Sequence, residues 1–344
     1  AKSPDPVSRS LEALSRSIAS GCHLPRRSMA SSALTPAVHH PRASQLTWAH
    51  SCCSCARLER ALSSPHITAI ESDIIMAAGR PVMAHPPARS SDLTFEAFLD
   101  ACIADGHRHL KLDFKVWAAV EPCLELLAAR KLQLLSNGQA VWLNADIVPG
   151  PNSRKRVAIP ADSFLPLCRQ HCPWALLSLG WAVRPLGPDE AYTAEDVHAM
   201  EELCARHSLP GEQVVFSASF RFAEQDLDEV AYLLRRVPGA QLLLWTGTGE
   251  VPILDSSLSL MRDTLQEAGV GDRCGFDVAL AATASQRAQA RVVDCSFWLS
   301  RVVRVMPRRL AGLGRRLCCC MRESVSSRTG EMEPLVEIEI VPDR

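Results

Sequence analysis

Between about residue 45 and residue 290, short apolar runs alternate with longer amphipathic stretches, and few folds accept that order. The apolar runs are QLTWAH (45–50), HITAIESDIIM (66–76), HLKLDFK (109–115), AVWLNADI (140–147), WALLSLGW (174–181), VVFSASF (214–220), AQLLLWTG (240–247) and CGFDVAL (274–280). Helix-like stretches lie near 53–63, 92–105, 117–134, 161–171, 194–207, 223–236, 255–269 and 281–290. Start signals support several of them: Ser91-Asp92 before Leu93 and Phe95, Thr193 before Glu195 and Asp196, and Asp255-Ser256-Ser257 before Leu258. Turn signals follow others, at Asn137-Gly138 and Pro238-Gly239. A strand that feeds a helix returns to the same sheet in parallel, and eight such units close on themselves. The expected fold is therefore α/β, a single-domain (β/α)8 TIM-like barrel over residues 44–291 with irregular tails at both ends.

Strands of a parallel barrel are buried on both faces and read as continuous apolar runs, so charges within them call for an explanation. In LKLDFK, Leu110, Leu112 and Phe114 face one way while Lys111, Asp113 and Lys115 face the other. In IESDI, Glu71 and Asp73 share a face by the same spacing. Carboxylates on adjacent strand ends offer the oxygen ligands that a hard divalent cation takes, which makes Glu71, Asp73 and Asp113 candidate metal ligands. The same charges also suit a structural ion-pair cluster inside the barrel. His50, ending TWAH, and His85, held before Pro86-Pro87, are candidates for an acid/base pair, because imidazole titrates near neutral pH. Asn144 and Asp146 share a face with Trp142 and are candidate pocket-lining groups, with Trp245 of WTGTG a candidate pocket wall. Function in such barrels gathers at the C-terminal strand ends, where His50, Asp73, Lys115 and Asp146 fall.

A net charge of −1 over 344 residues argues against a general nucleic-acid binder. No apolar run reaches the length of a membrane span. The 14 cysteines lack the paired spacing of a structural zinc site, and the expectation is reduced thiols in a cytoplasmic setting. Residues 1–43, rich in Ser, Ala, Pro and Arg without periodicity, read as disordered or as a gene-model extension. Residues 292–344 read as a basic and then acidic tail. Its stretch 297–322 carries seven arginines and no acid, and includes Cys318, Cys319 and Cys320 directly after the apolar and basic residues 297–317. Such a segment can rest on an anionic membrane surface, with palmitoylation as a second anchor.

Taken in order, TWAH, IESDI, PVMAHPP, SDLTFEAFL, LKLDFK, VEP, VWLNADIVPGPN, LSLGW and WTG resemble the menorin family across about 45–280. Menorin-like domains in turn look like the barrel-fold glycerophosphodiester phosphodiesterases and the sphingomyelinase-D-like enzymes. The resemblance implies that Glu71, Asp73 and Asp113 hold Mg²⁺ or Ca²⁺, that Lys115 neutralises phosphoryl charge, and that His50 and His85 act as acid and base. It implies a small phosphodiester or lipid head group as substrate and a phosphoric diester hydrolase or lyase as activity. Members of the family are also associated with neuronal and photoreceptor cell development, and some are membrane-associated or extracellular. A catalytically silent binding or adhesion module is therefore the alternative. One departure stands out: where menorin-like chains usually carry FPVRAA, this chain reads FSASFRF, with Ser219 at the arginine position and Arg221 two residues later.

Overall fold

The structure, a computed structural model, describes residues 40–153, 157–184 and 191–305. Its strands are β1 (Trp48–Ala49), β2 (Ala69–Ala77), β3 (Arg80–Met83), β4 (His109–Phe114), β5 (Val141–Pro149), β6 (Leu176–Ala182), β7 (Val214–Ser219), β8 (Gln241–Trp245) and β9 (Cys274–Asp277). Its helices are α1 (Cys55–Ser63), α2 (Phe95–Asp105), α3 (Val120–Ser136), α4 (Ala161–His171), α5 (Ala194–Arg206), α6 (Phe220–Ala223), α7 (Leu227–Arg236), α8 (Asp255–Glu267) and α9 (Ala284–Val305). Eight strands run parallel in the order β1-β2-β4-β5-β6-β7-β8-β9, a nearly closed barrel with helices between the staves. The alternation in the sequence thus produces the expected architecture. The chain adds β3, which folds back on β2 through Ala78-Gly79, both at positive φ, as a two-residue hairpin requires. RPVM is short and carries a proline, so it gave no strand signal of its own.

The helix start expected at Ser91-Asp92 falls later. Thr94 is the residue whose side chain caps α2, accepting from Ala97 N. Asp92 instead accepts the Cys55 amide at the first turn of α1, and Ser91 donates to Cys53 C=O. These two residues therefore tie the loop before α2 to the loop after β1. At the other end, α9 runs across position 291, where the barrel was expected to stop, as far as Val305. Residues 1–39 and the remainder of the basic and acidic tail, 306–344, lie outside the described residues.

The barrel wall packs outward against the helices through Ile70, Ile74, Leu110, Leu112, Leu143 and Phe216, all buried. Its interior divides in two along the barrel axis. At the N-terminal strand ends, Ala69, Trp142, Leu176, Val215 and Leu243 form a separate apolar cluster with Trp48. The Trp48 and Trp142 rings meet edge to face with centroids 5.0 Å apart. The floor is sealed by the turn at 43–45. Ala43 N donates to Gln241 Oε1, and Ser44 Oγ donates to Asp272 C=O at 2.8 Å. Gly275 admits that turn, since a Cβ there would overlap the Ala43 carbonyl. Above the floor the same inward-facing positions turn polar, and there the candidate site begins.

Candidate active site

Register places the inward-facing groups side by side. Glu71 pairs with Lys111, Asp73 with Asp113, Asp113 with Asn144, and Asn144 with Ser178. Lys115, one residue beyond β4, folds its ammonium back to Asp113 (2.8 Å) and Asp73 (3.2 Å). Lys111, almost wholly buried, lies 3.8 Å from Glu71 and 4.0 Å from Asp113. Ser178 Oγ donates to Asn144 Oδ1 at 2.6 Å. Asp146 reaches across to β6 over Gly180, where a Cβ would overlap its Oδ1. The glycine of LSLGW is thus the space that Asp146 occupies.

His50 closes the ring at the seam between β1 and β9. Its Nδ1 lies 2.8 Å from Asp277 and 3.5 Å from Glu71. The next residue, Ser51, sits at φ 54, a left-handed conformation in which its amide donates to Glu71 Oε2 at 2.7 Å. Strain in a non-glycine residue of this kind persists where surrounding bonds fix it. Here Arg57 also donates to Ser51 C=O at 3.0 Å.

The electrostatics follow from burial set against these partners. Burial works against a charged His50, but Asp277 and Glu71 outweigh it and lift its pKa to about 9, so the ring is an imidazolium at neutral pH. Burial, with Asp73 next to it, pushes Glu71 up to about 7. Burial would raise Asp113, yet Lys115 and Lys111 hold it below the usual carboxylate range. Burial would likewise lower Lys115, but Asp113, Asp73 and Asp146 hold it well above its ordinary value. Asp146 is pushed up to about 6, chiefly by burial.

Oxygens of Glu71, Asp73 and Asp113 lie within 4.8 Å of one another, close enough to ligate one ion. Asp113 Oδ1 is buried and makes no hydrogen bond. A hard, all-oxygen donor set with an orphaned carboxylate oxygen fits a divalent cation such as Mg²⁺ or Ca²⁺. Of the groups singled out in the sequence, His50, Glu71, Asp73, Asp113, Lys115, Asn144 and Asp146 therefore converge, with Trp245 half-buried at the end of β8 on the same inward face. His85 is not brought to them. Ala84 N donates to Asp73 C=O, so its strand is zipped to the site, but the His85 ring is exposed and its Nδ1 meets the Pro86 carbonyl. Strand periodicity does not extend into the Pro86-Pro87 loop, and so could not set the direction of that ring.

Two acidic residues escaped the sequence reading. Asp277 lies two residues after Gly275 on β9, the spacing that marks Asp113 and Lys115 on β4. Glu250 lies in the loop after β8 and carries no periodic signal. Arg221, near the position where menorin-like chains carry an arginine, is engaged elsewhere. It binds Asp294 of α9 at 3.1 Å and the carbonyls of Val251 and Pro252.

The sequence model of the menorin N-terminal domain matches residues 42–270, most of the barrel. The chain belongs to the menorin family. The human Protein FAM151B is 34% identical over 214 residues, covering 60% of this chain and 74% of that menorin relative. Among solved structures, a glycerophosphodiester phosphodiesterase from Parabacteroides distasonis ATCC 8503 aligns with 72% of this chain and 98% of its own, at TM-score 0.40 and 11% identity. L-ribulose 3-epimerase aligns with 86% of this chain and 99% of its own, at TM-score 0.39 and 13% identity. Likeness this faint is silent on chemistry, which in this menorin barrel has to come from the residues at its mouth.

Proposed function

We propose that this menorin barrel is a metal-dependent phosphodiesterase, a hydrolase or lyase acting on a glycerophosphodiester or a phospholipid-type head group. The observation that carries the reading is the convergence of Glu71, Asp73 and Asp113 around a buried, unbonded oxygen, beside the His50 ring held by Asp277. Mg²⁺ or Ca²⁺ held by the three acids would supply positive charge opposite the phosphoryl oxygens. Lys115, poised between Asp113 and Asp73, contributes a second positive group to that charge. His50, charged at neutral pH and oriented by Asp277, is suited to give a proton to the leaving oxygen, the acid's part rather than the base's. His85 can take the base's part only if its loop carries the exposed ring inward.

A second reading, a silent binding module, draws on Ser219 at the arginine position and on the engagement of Arg221 by Asp294. The two separate by assay. Purified protein with Mg²⁺ or Ca²⁺ is expected to turn over glycerophosphodiesters or lysophospholipids, and EDTA or Asp113→Asn is expected to abolish this. No turnover across a broad phosphodiester panel, with the fold intact by circular dichroism, favours the module.

A further inference from the structure

The loop after β8 presents a carboxylate that the chemistry above does not use. It is pinned at both ends. Thr246 N donates to Asp277 C=O (3.1 Å), Thr246 Oγ1 accepts from Ala279 N (2.8 Å), and Ile253 N donates to Ala279 C=O (2.8 Å). Between these points Glu250 N donates to Gly247 C=O at 3.1 Å, closing a tight turn with Gly249 at φ +87. The turn folds the Glu250 side chain back over Gly247, where a Cβ would stand 3.0 Å from Oε1. A side chain at 247 would therefore crowd the carboxylate. On its far side Arg221 holds the carbonyls of Val251 and Pro252, fixing the chain that follows. The outcome is a carboxylate held by the Gly247 backbone, with the Arg221 guanidinium and then His50 within electrostatic reach, whose Oε2 is buried without a hydrogen-bond partner a few residues past Trp245. A carboxylate oxygen can only accept, and a buried acceptor without a donor is an arrangement that proteins rarely leave unanswered.

We propose that Glu250 is a specificity-determining residue. It would read a hydrogen-bond donor, a hydroxyl or a primary ammonium, on the alcohol portion of the substrate, with Trp245 as the neighbouring wall. The proposal rests on the phosphodiester reading of the same mouth, and it assigns the alcohol portion to the side of the barrel where His50 meets the leaving oxygen. A donor on that portion completes the bond that Oε2 lacks, whereas an alkyl group leaves it unmade and is disfavoured.

Calorimetric titration separates this from the reading beneath it, using methyl phosphate, glycerol 3-phosphate and phosphoethanolamine with Ca²⁺ present. Wild type is expected to bind at least one donor-bearing probe about tenfold or more tighter than methyl phosphate, and Glu250→Ala to erase the difference. Glu250→Gln keeps an acceptor but no charge. It should retain part of a preference for glycerol 3-phosphate and lose a preference for phosphoethanolamine, which tells a hydroxyl from an ammonium. Equal affinities for the three probes in wild type, or a preference that survives Glu250→Ala, overturns the role of Glu250 and leaves the phosphoryl site standing. If none of the three binds at millimolar concentration, the phosphodiester reading falls and this proposal falls with it.

Discussion

The two halves of the barrel interior are made by the same strands and governed by opposite physics. At the floor, Ala69, Trp142, Leu176, Val215 and Leu243 bury apolar surface with no charge among them. Two residues after Ala69 and Trp142, Glu71 and Asn144 are equally buried and polar, and Lys111 and Asp113 of β4 stand between them. The floor holds the staves together through area removed from water and tight packing. The upper layer holds charges that burial disfavours, each kept only by its neighbours. The contrast implies that stability is concentrated at the floor and function at the top, a division that barrels commonly show.

The largest test of this division is Trp142→Ala. Truncating a fully buried tryptophan should remove roughly 3–5 kcal/mol of stability, by transfer and cavity terms together. For a barrel of this size that is a melting temperature lower by about 10 °C, read by thermal denaturation. A loss below about 1 kcal/mol would show that the floor is not the staple. In the upper layer, His50→Ala should do the reverse. Turnover should fall by about 10²-fold or more, while the melting temperature falls by less than for Trp142→Ala, since loss of the partly exposed His50 leaves Asp277 and Glu71 without their partner but opens no sealed cavity. A large stability loss with little change in turnover would erase the distinction between the halves.

Asp146→Asn sharpens the comparison, because here a mutation in the charged layer should stabilise. The folded pKa of Asp146, about 6, lies above its ordinary 3.8, so the charged form is disfavoured in the fold. The penalty is absent below the ordinary value, grows as pH rises between the two, and is complete above about 6. That difference corresponds to about 3 kcal/mol, which the partial exposure of the side chain reduces to about 1–2 kcal/mol. In EDTA, Asp146→Asn should therefore be more stable than wild type at pH 7 and equal to it near pH 3.5. An advantage that persists at low pH would assign the effect to packing rather than charge. The smallest expected effect is that of the cation itself. Mg²⁺ or Ca²⁺ at about ten times its dissociation constant should add about 1.4 kcal/mol, a shift of a few degrees that Asp113→Asn removes. A melting temperature unmoved by millimolar concentrations of either ion would leave the acids as a purely structural ion-pair cluster.

Much of this division is legible in the sequence, because strand alternation is a strict ruler. Charges at Glu71, Asp73, Lys111, Asp113 and Lys115 could not face the helices without breaking the wall, so they had to face inward together. The ruler fails where the chain leaves regular strand. Asp277 sits on a strand of four residues, too short to establish a period. Glu250 owes its position to a turn closed by Gly247 and Gly249. His85 follows the last residue of β3 by two, and there backbone bonding no longer dictates side-chain direction. Asp92 reads as the start of its own helix but caps its neighbour, a tertiary choice that no local pattern contains.

The seam at which the barrel closes has a kinetic meaning as well. The strand order runs from β1 to β9, and the two ends meet through His50 and Asp277, partners 227 positions apart in the chain. Contacts of such sequence separation form late, once the intervening loop entropy has been overcome. With that meeting His50 gains Asp277, the leading influence that raises its pKa against burial. A chain arrested before the last stave docks can be compact, carry its helices and hold its three acids, and still lack the carboxylate that orients its acid. The orientation of the acid and the closure of the barrel therefore rest on the same contact.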